Sequence, residues 1–424
     1  MKLINKNTFL LLVTNYIIKY FTVIVAVFFL LYVTRIVESF KYPQRLQIFV
    51  SWTMTIIMSI VFLMKKNLHI KQNQFTNYFL YYIIAYLVVG FAKLCIHPSS
   101  LFPINQADAL FSLSLLFGII FYGRQNFLRG VSSLYFKYII PFFVLLLPFA
   151  LYLNYADILG MNLFFFLLYP YLNTKRKFIV ILVFILSILT TEQRIYYMRY
   201  FFCIMLLMMF YVPFLSRRLF AITHTFVFCI PLLALILALR YDFNVFDMKS
   251  YMGDGFEYYD ETNDRTANAL EDSRTFIYLE AIESAFNNGY VIWGRTPYYG
   301  HESLFQIDRM SSLGFFLKGT SMERISEVHI ESIFTWFGTF GLIFYMLMLY
   351  KMSINCIVVS NNKFCKIVGL VVPFMWLMLW IEYSFAFTPS YFVFPMVLGL
   401  TYNTDLYKMS DQEIKNYFYK TINQ

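Results

Sequence analysis

Of 424 residues, 60 % are hydrophobic, only 14 % are charged, and the net charge is +10. A soluble domain carries about 25 % charged residues and about 45–50 % apolar ones, so the composition excludes an ordinary soluble protein and assigns the chain to a bilayer. No nucleic-acid partner is expected.

A helix needs about 17–25 apolar residues to cross roughly 30 Å of hydrocarbon. In chain order the candidate runs are 12–34, 47–64, 77–95, 107–123, 137–153, 157–173, 177–193, 199–215, 220–239, 329–350, 364–385 and 388–404. They are continuously apolar and do not alternate, which favours helices over barrel strands. The expectation is an all-α, polytopic membrane protein with about twelve transmembrane helices. Lys2 and Lys6 precede a run of spanning length with no small-residue cleavage site after it, so the start does not read as a signal peptide. The five Cys (Cys95, Cys203, Cys229, Cys356, Cys365) lie in or beside apolar runs with no metal or disulfide spacing, and read as packing residues.

Cytoplasmic loops carry the excess of Lys and Arg. With the N-terminus inside, one set of alternate loops holds Lys65, Lys66, Lys71, Arg124, Arg129, Lys137, Lys175, Arg176, Lys177, Arg217, Arg218, Lys351, Lys363 and Lys366. The other set around 97–106, 154–156 and 386–388 holds none, and in the first outer loop Arg35, Lys41 and Arg45 break the pattern. Both termini are therefore expected in the cytoplasm. The organisation follows: an N-terminal bundle over 1–240 of about nine helices, an extracytoplasmic loop over 241–328, about three C-terminal helices over 329–404, and a cytoplasmic tail over 405–424.

On the outer side, Arg194 and Arg199 flank a loop that the charge rule would leave uncharged. A cation there faces a partner or a wet cavity, or snorkels to lipid phosphate or Glu192. The loop 241–328 holds 15 of the 24 acids against seven basic residues, a net of 7 − 15 = −8. Its many Phe and Tyr residues and Trp293 exclude simple disorder. Phe276, Leu279, Ile282 and Phe286 recur at helical spacing, predicting an amphipathic helix over Asp272–Phe286 that Asp272 or Ser273 caps and Asn288-Gly289 ends. A second helix is expected over Glu302–Lys318, giving a small helical cap. Arg274 at the first turn is compatible with phosphate binding near free N–H groups, or with a surface pair to Glu271. His329 stands where the loop re-enters the membrane, beside Glu327 and Glu331. An imidazole there can take a proton from a hydroxyl, or can simply satisfy a backbone group.

Arg194, Ser273-Arg274, Val291-Ile-Trp-Gly294 and His329 with Gly338-Thr-Phe-Gly341, in that order, resemble the O-antigen polymerase and ligase superfamily of bacterial envelope glycosyltransferases. The architecture is similar throughout; the motifs cover about 190–345. The chain departs in having Gln193 before Arg194 and Ile330 after His329. The resemblance implies a cofactor- and metal-independent enzyme of the bacterial cytoplasmic membrane. It would polymerise oligosaccharide units carried on undecaprenyl diphosphate, which serves as both donor and acceptor. His329 would be the base, with Glu331 or His301 sharing that role. Arg194 and Arg274 would hold the diphosphate, with Arg199 and Arg295 as weaker candidates. Membrane lipid and a chain-length regulator protein are the expected partners. The alternatives are the ligase branch of the same superfamily and a flippase of lipid-linked glycan.

Overall fold

The computed structural model describes residues 43–63, 74–97, 103–146, 159–191, 194–213, 215–241, 244, 246–247, 250, 257–260, 265–268, 274–303, 322–324, 328–381 and 389–423. The first expected span, 12–34, lies outside them.

Helices dominate. In chain order they are α1 (Pro43–Leu63), α2 (Gln74–Ile96), α3 (Pro103–Phe117), α4 (Ile119–Tyr122), α5 (Gln125–Leu134), α6 (Ile140–Leu146), α7 (Asn162–Leu167), α8 (Thr174–Thr190), α9 (Arg194–Tyr211) and α10 (Arg217–Tyr241). After the loop come α11 (Thr275–Asn287), α12 (His329–Val359), α13 (Lys363–Leu379), α14 (Val393–Tyr402), α15 (Thr404–Lys408) and α16 (Asp411–Ile422). Among the described residues, four stretches are long and apolar enough to cross a membrane: Gln74–Ile96, Gln125–Leu145, Arg217–Ala238 and His329–Val359. Shorter apolar helices occupy Ile48–Leu63, Tyr196–Tyr211 and Ser390–Tyr402. The expected span 157–173 is broken into α7 and a 3₁₀ turn at Tyr169–Tyr171, because Pro170 cannot donate the N–H that a continuing helix needs.

The loop is not purely helical. Two antiparallel pairs form, β1 (Glu257–Asp260) with β2 (Arg265–Asn268) and β3 (His301–Ser303) with β4 (Met322–Arg324). The expected second helix therefore begins as strand β3, and the rest of it lies outside the described residues. The first helix is present but starts later than expected, at Thr275, with Arg274 as its N-cap residue and Asn288 closing it. Asp272, Ser273 and Glu271 lie outside the described residues. Its buried face is Ile277, Ala281, Ser284 and Ala285, whereas the predicted apolar face of Phe276, Leu279, Ile282 and Phe286 is exposed.

Helix α12 decides where the site lies. It contains Gly338 at φ 66°, ψ −172°, a conformation no helix can hold. His329 Nε2 and the Tyr345 hydroxyl, 16 residues apart, are separated by 3.1 Å. Sixteen residues of straight helix would separate the two Cα atoms by about 24 Å, so the segment His329–Phe337 doubles back on the rest of α12. The span proper is Thr339–Val359, 359 − 339 + 1 = 21 residues, which at 1.5 Å each is about 32 Å and still crosses hydrocarbon.

A broken helix strands backbone groups, and inside a bilayer these need protein partners. The turn Val291–Thr296 supplies them. Arg295 and Thr296 donate their N–H groups to Thr335 O (2.8 Å) and Trp336 O (3.0 Å), while Thr339 and Phe340 donate theirs to Val291 O (2.8 Å) and Ile292 O (3.2 Å). Only glycine fits at the crossing: a Cβ on Gly338 would lie 2.2 Å from Ile292 O, and one on Gly294 2.4 Å from Trp336 O. The two short motifs Val291–Gly294 and Gly338–Gly341 are thus the two halves of one backbone clasp. Helix α2 braces it, since the Tyr82 hydroxyl donates to Phe337 O (3.2 Å) and that of Tyr86 to Trp293 O (2.7 Å).

At the other end, α16 packs Ile414, Phe418 and Ile422 inward. Ser132 Oγ donates to Ile422 O (2.8 Å), and Asn423 Nδ2 donates to Tyr171 O (2.9 Å). The tail is a docked helix.

Candidate functional site

The doubled-back segment brings polar groups into a dry place. His329 and Glu331 sit in its first turn, exposed by 1 % and 2 %. Being two residues apart on a helix, they point to different sides. His329 turns toward Tyr345 and toward Phe394, whose ring centroid is 6.3 Å away. Glu331 turns toward β3, where its Oε1 lies 3.1 Å from His301 Nδ1. Glu331, one of the two residues expected to share the base role, therefore meets the other, His301. That residue is 1 % exposed and sits on β3, pairing in register with Arg324.

Around this pair the loop is tied to α11. Ser303 Oγ donates to Glu280 Oε2 (2.9 Å), the Glu302 N–H donates to Ser284 Oγ (3.0 Å), and the Tyr290 hydroxyl bonds Ser284 Oγ at 2.8 Å. Two tyrosines report the surrounding charges. Burial pushes the Tyr278 hydroxyl pKa up, and so does the charge of Glu331, while Arg274 pulls it down. Burial likewise raises that of Tyr290; the Ser284 hydrogen bond and Arg295 oppose the rise, and Glu302 and Glu331 reinforce it. Glu331 is thus within electrostatic reach of the two rings that sense Arg274 and Arg295. Arg295 itself lies over the rings of Tyr290 and Tyr299 (5.3 and 5.9 Å) and donates from Nη1 to Gly300 O at 3.0 Å.

The depth of the site follows from α2. The Tyr345 ring is 5.5 Å from Phe79, and Phe337 is 5.3 Å from Tyr86. The break in α12 and the Tyr345 ring that faces His329 therefore lie beside α2 between Tyr86 and Phe79, inside its Gln74–Ile96 span, whereas the sequence places His329 at the membrane interface. Charged groups at spanning depth are costly unless they pair, and they mark functional sites.

Of the expected residues, Glu331 meets His301, His329 shares its half-helix, and Arg274 and Arg295 act on Tyr278 and Tyr290, the two tyrosines that Glu331 also acts on. His301, named in the sequence only as a possible partner, is the imidazole the carboxylate engages. Its signal in the sequence was faint: one His beside Gly300 in a turn-rich stretch. Arg199 lies over the Tyr196 ring of its own helix at 5.2 Å. Arg194 is the first residue of α9. Among the described residues, no group of three or more His, Cys, Asp and Glu side chains is placed to hold a metal ion.

No protein-family model matches the chain, and neither the curated proteins nor the solved structures include a match to it.

Proposed function

We propose that the chain is a glycosyltransferase of the bacterial cytoplasmic membrane. It would join polyprenyl-diphosphate-linked oligosaccharide units into a surface polysaccharide at the outer face. The observation that carries this reading is the buried His301–Glu331 pair, at the half-helix clasped by the turn that carries Arg295. In the reaction an acceptor sugar hydroxyl attacks the anomeric carbon of the donor. Its proton passes to an imidazole, the new glycosidic C–O bond forms, and the bond to the diphosphate breaks. The polyprenyl diphosphate leaves with the electron pair.

Such chemistry asks the protein for a base and for cations. His301 suits the first role, because Glu331 at its Nδ1 stabilises the imidazolium once Nε2 has taken the proton. Arg274 and Arg295 suit the second, since a guanidinium fork holds two phosphate oxygens at once; Arg194 and Arg199 belong to the same proposed set. His329 is a second reading for the base, favoured by its place in the same first turn, but its Nε2 is engaged by Tyr345. The topology that goes with this reading has about twelve crossings, both termini in the cytoplasm and loop 241–328 outside. Undecaprenyl-diphosphate oligosaccharide would be both donor and acceptor, and a chain-length regulator would be a protein partner.

The test is purified protein in vesicles given only lipid-diphosphate oligosaccharide. Longer lipid-linked chains support polymerisation. Transfer only to an added, different lipid acceptor supports the ligase branch. Movement of unaltered lipid across the vesicle wall points to a flippase.

A further inference from the structure

The exposed face of α11 bears on what surrounds the loop. Leu279 and Phe286 are 60 % and 70 % exposed, with Phe276 and Ile282 on the same side. Past the helix end, Ile292 and Trp293 continue the surface at 60 % and 59 % exposure. In water this would be an unusually large apolar stripe for a helix with only Glu280 and Glu283 as charged groups.

Its level in the molecule identifies what covers it. The Trp293 ring is 5.3 Å from Phe340. Phe340 opens the exposed apolar strip of the spanning part of α12, continued by Ile343 and Leu347. The Trp293 carbonyl is held by Tyr86, and α2 runs on for ten more residues to Ile96, about 15 Å of further helix. That continuation still turns Val88, Val89, Phe91 and Ile96 outward. The following chain climbs beside it: Tyr298 packs on Trp52 at 5.5 Å, and the Tyr299 hydroxyl donates to His97 O at 2.5 Å. At its other end α11 is tied by the Tyr278 hydroxyl to Trp380 O (2.6 Å), one residue past the end of α13.

We propose that α11 and the Ile292–Trp293 turn lie within the outer leaflet, with Leu279, Ile282, Phe286 and Trp293 against lipid acyl chains. The candidate site is then walled from the bilayer by one helix, so a lipid-tailed substrate reaches it from the side. The placement of α11 rests on the membrane-spanning character of α2, α10 and α12 and on the topology with loop 241–328 outside; the lipid-tailed substrate rests on the proposed function.

The experiment places the photo-crosslinker p-benzoylphenylalanine singly at Leu279, Phe286, Phe226 and Gln412 in full-length protein. The protein is reconstituted in vesicles of phosphatidylethanolamine and phosphatidylglycerol, and peptide adducts are identified by mass. Phe226, 63 % exposed on the spanning helix α10, reports lipid; exposed Gln412, on the docked tail helix, reports water. Phospholipid adducts at positions 279 and 286, at a yield within about threefold of position 226 and well above 412, are expected. Protein–protein adducts at 279 and 286, from a second copy, or no adduct there while 226 is labelled, would overturn the proposal. Absence of lipid adducts at 226 as well would remove its membrane basis. None of these outcomes depends on whether the protein transfers sugars.

Discussion

Glu331 and Glu413 show how one residue type does different work in two settings. Glu331 is buried against His301. Removing His301 would leave the buried Glu331 carboxylate without this partner, which is costly. Glu331→Gln keeps the shape and removes the charge. We expect it to lower turnover by about 10² or more, the usual worth of acid–base assistance, with the folded protein recovered. His301→Ala should match it, whereas His329→Gln should lose less. Equal or greater loss for His329→Gln in the same lengthening assay would return the base role to His329. Glu413 is fully exposed, and its pKa is lowered by the Ser410 backbone N–H and by the Ser410 hydroxyl. A depressed carboxyl stabilises the fold above its unfolded value of about 4.3, and loses that contribution as pH falls through its lower folded value. Glu413→Gln should therefore loosen the first turn of α16 at pH 7, seen as faster proteolysis of the tail, and the difference should shrink as pH falls below about 4.3.

At the scale of elements, the clasp between Val291–Thr296 and the break in α12 is the feature most open to measurement. Gly338→Ala or Gly294→Ala meets both a positive φ and a backbone atom within 2.5 Å of the new methyl. Left-handed backbone costs about 1–2 kcal/mol, and forced overpacking about 1–3 more. Gly289 has the same sign of φ, 68°, but open space around it, so Gly289→Ala should cost only the first term. A smaller shift in thermal midpoint for Gly289→Ala than for the other two, measured in detergent, is the expected order. The sequence showed both halves of the clasp as Gly-containing motifs, yet not that they meet. Their contact needs a reversal at Gly338 that spacing alone does not encode, because the residues on either side continue a helical apolar pattern. The apolar period of α11 likewise marks a helix, yet the stripe it marks is the exposed face. Periodicity locates an apolar stripe and does not say whether water, protein or lipid lies against it. In α11 the small residues Ala281, Ser284 and Ala285 pack inward so that the backbones approach closely, and the large ones point out.

For the whole molecule, helical character and spanning segments were legible in composition and run length, since hydrocarbon thickness fixes both. The site was legible only as a set of residue types near one loop. Its assembly depends on β3, on a half-helix and on a clasp, all made by non-local hydrogen bonds. The arrangement has a common logic: a broken helix carries the buried His329 and Glu331, the turn that seals the break carries Arg295, and Arg274 caps the helix before it. Arg274→Ala and Arg295→Ala should each weaken activity by about 10-fold or more through lost charge stabilisation and leave vesicle insertion unchanged, as checked by protease protection. The measurement that bears most directly on the central claim is chain lengthening by purified protein in vesicles supplied with lipid-diphosphate oligosaccharide alone, comparing native protein with His301→Ala and Glu331→Gln. Native protein is expected to build a ladder of longer lipid-linked products that both variants lose. No ladder from the native protein, or an undiminished ladder from both variants, would contradict the account.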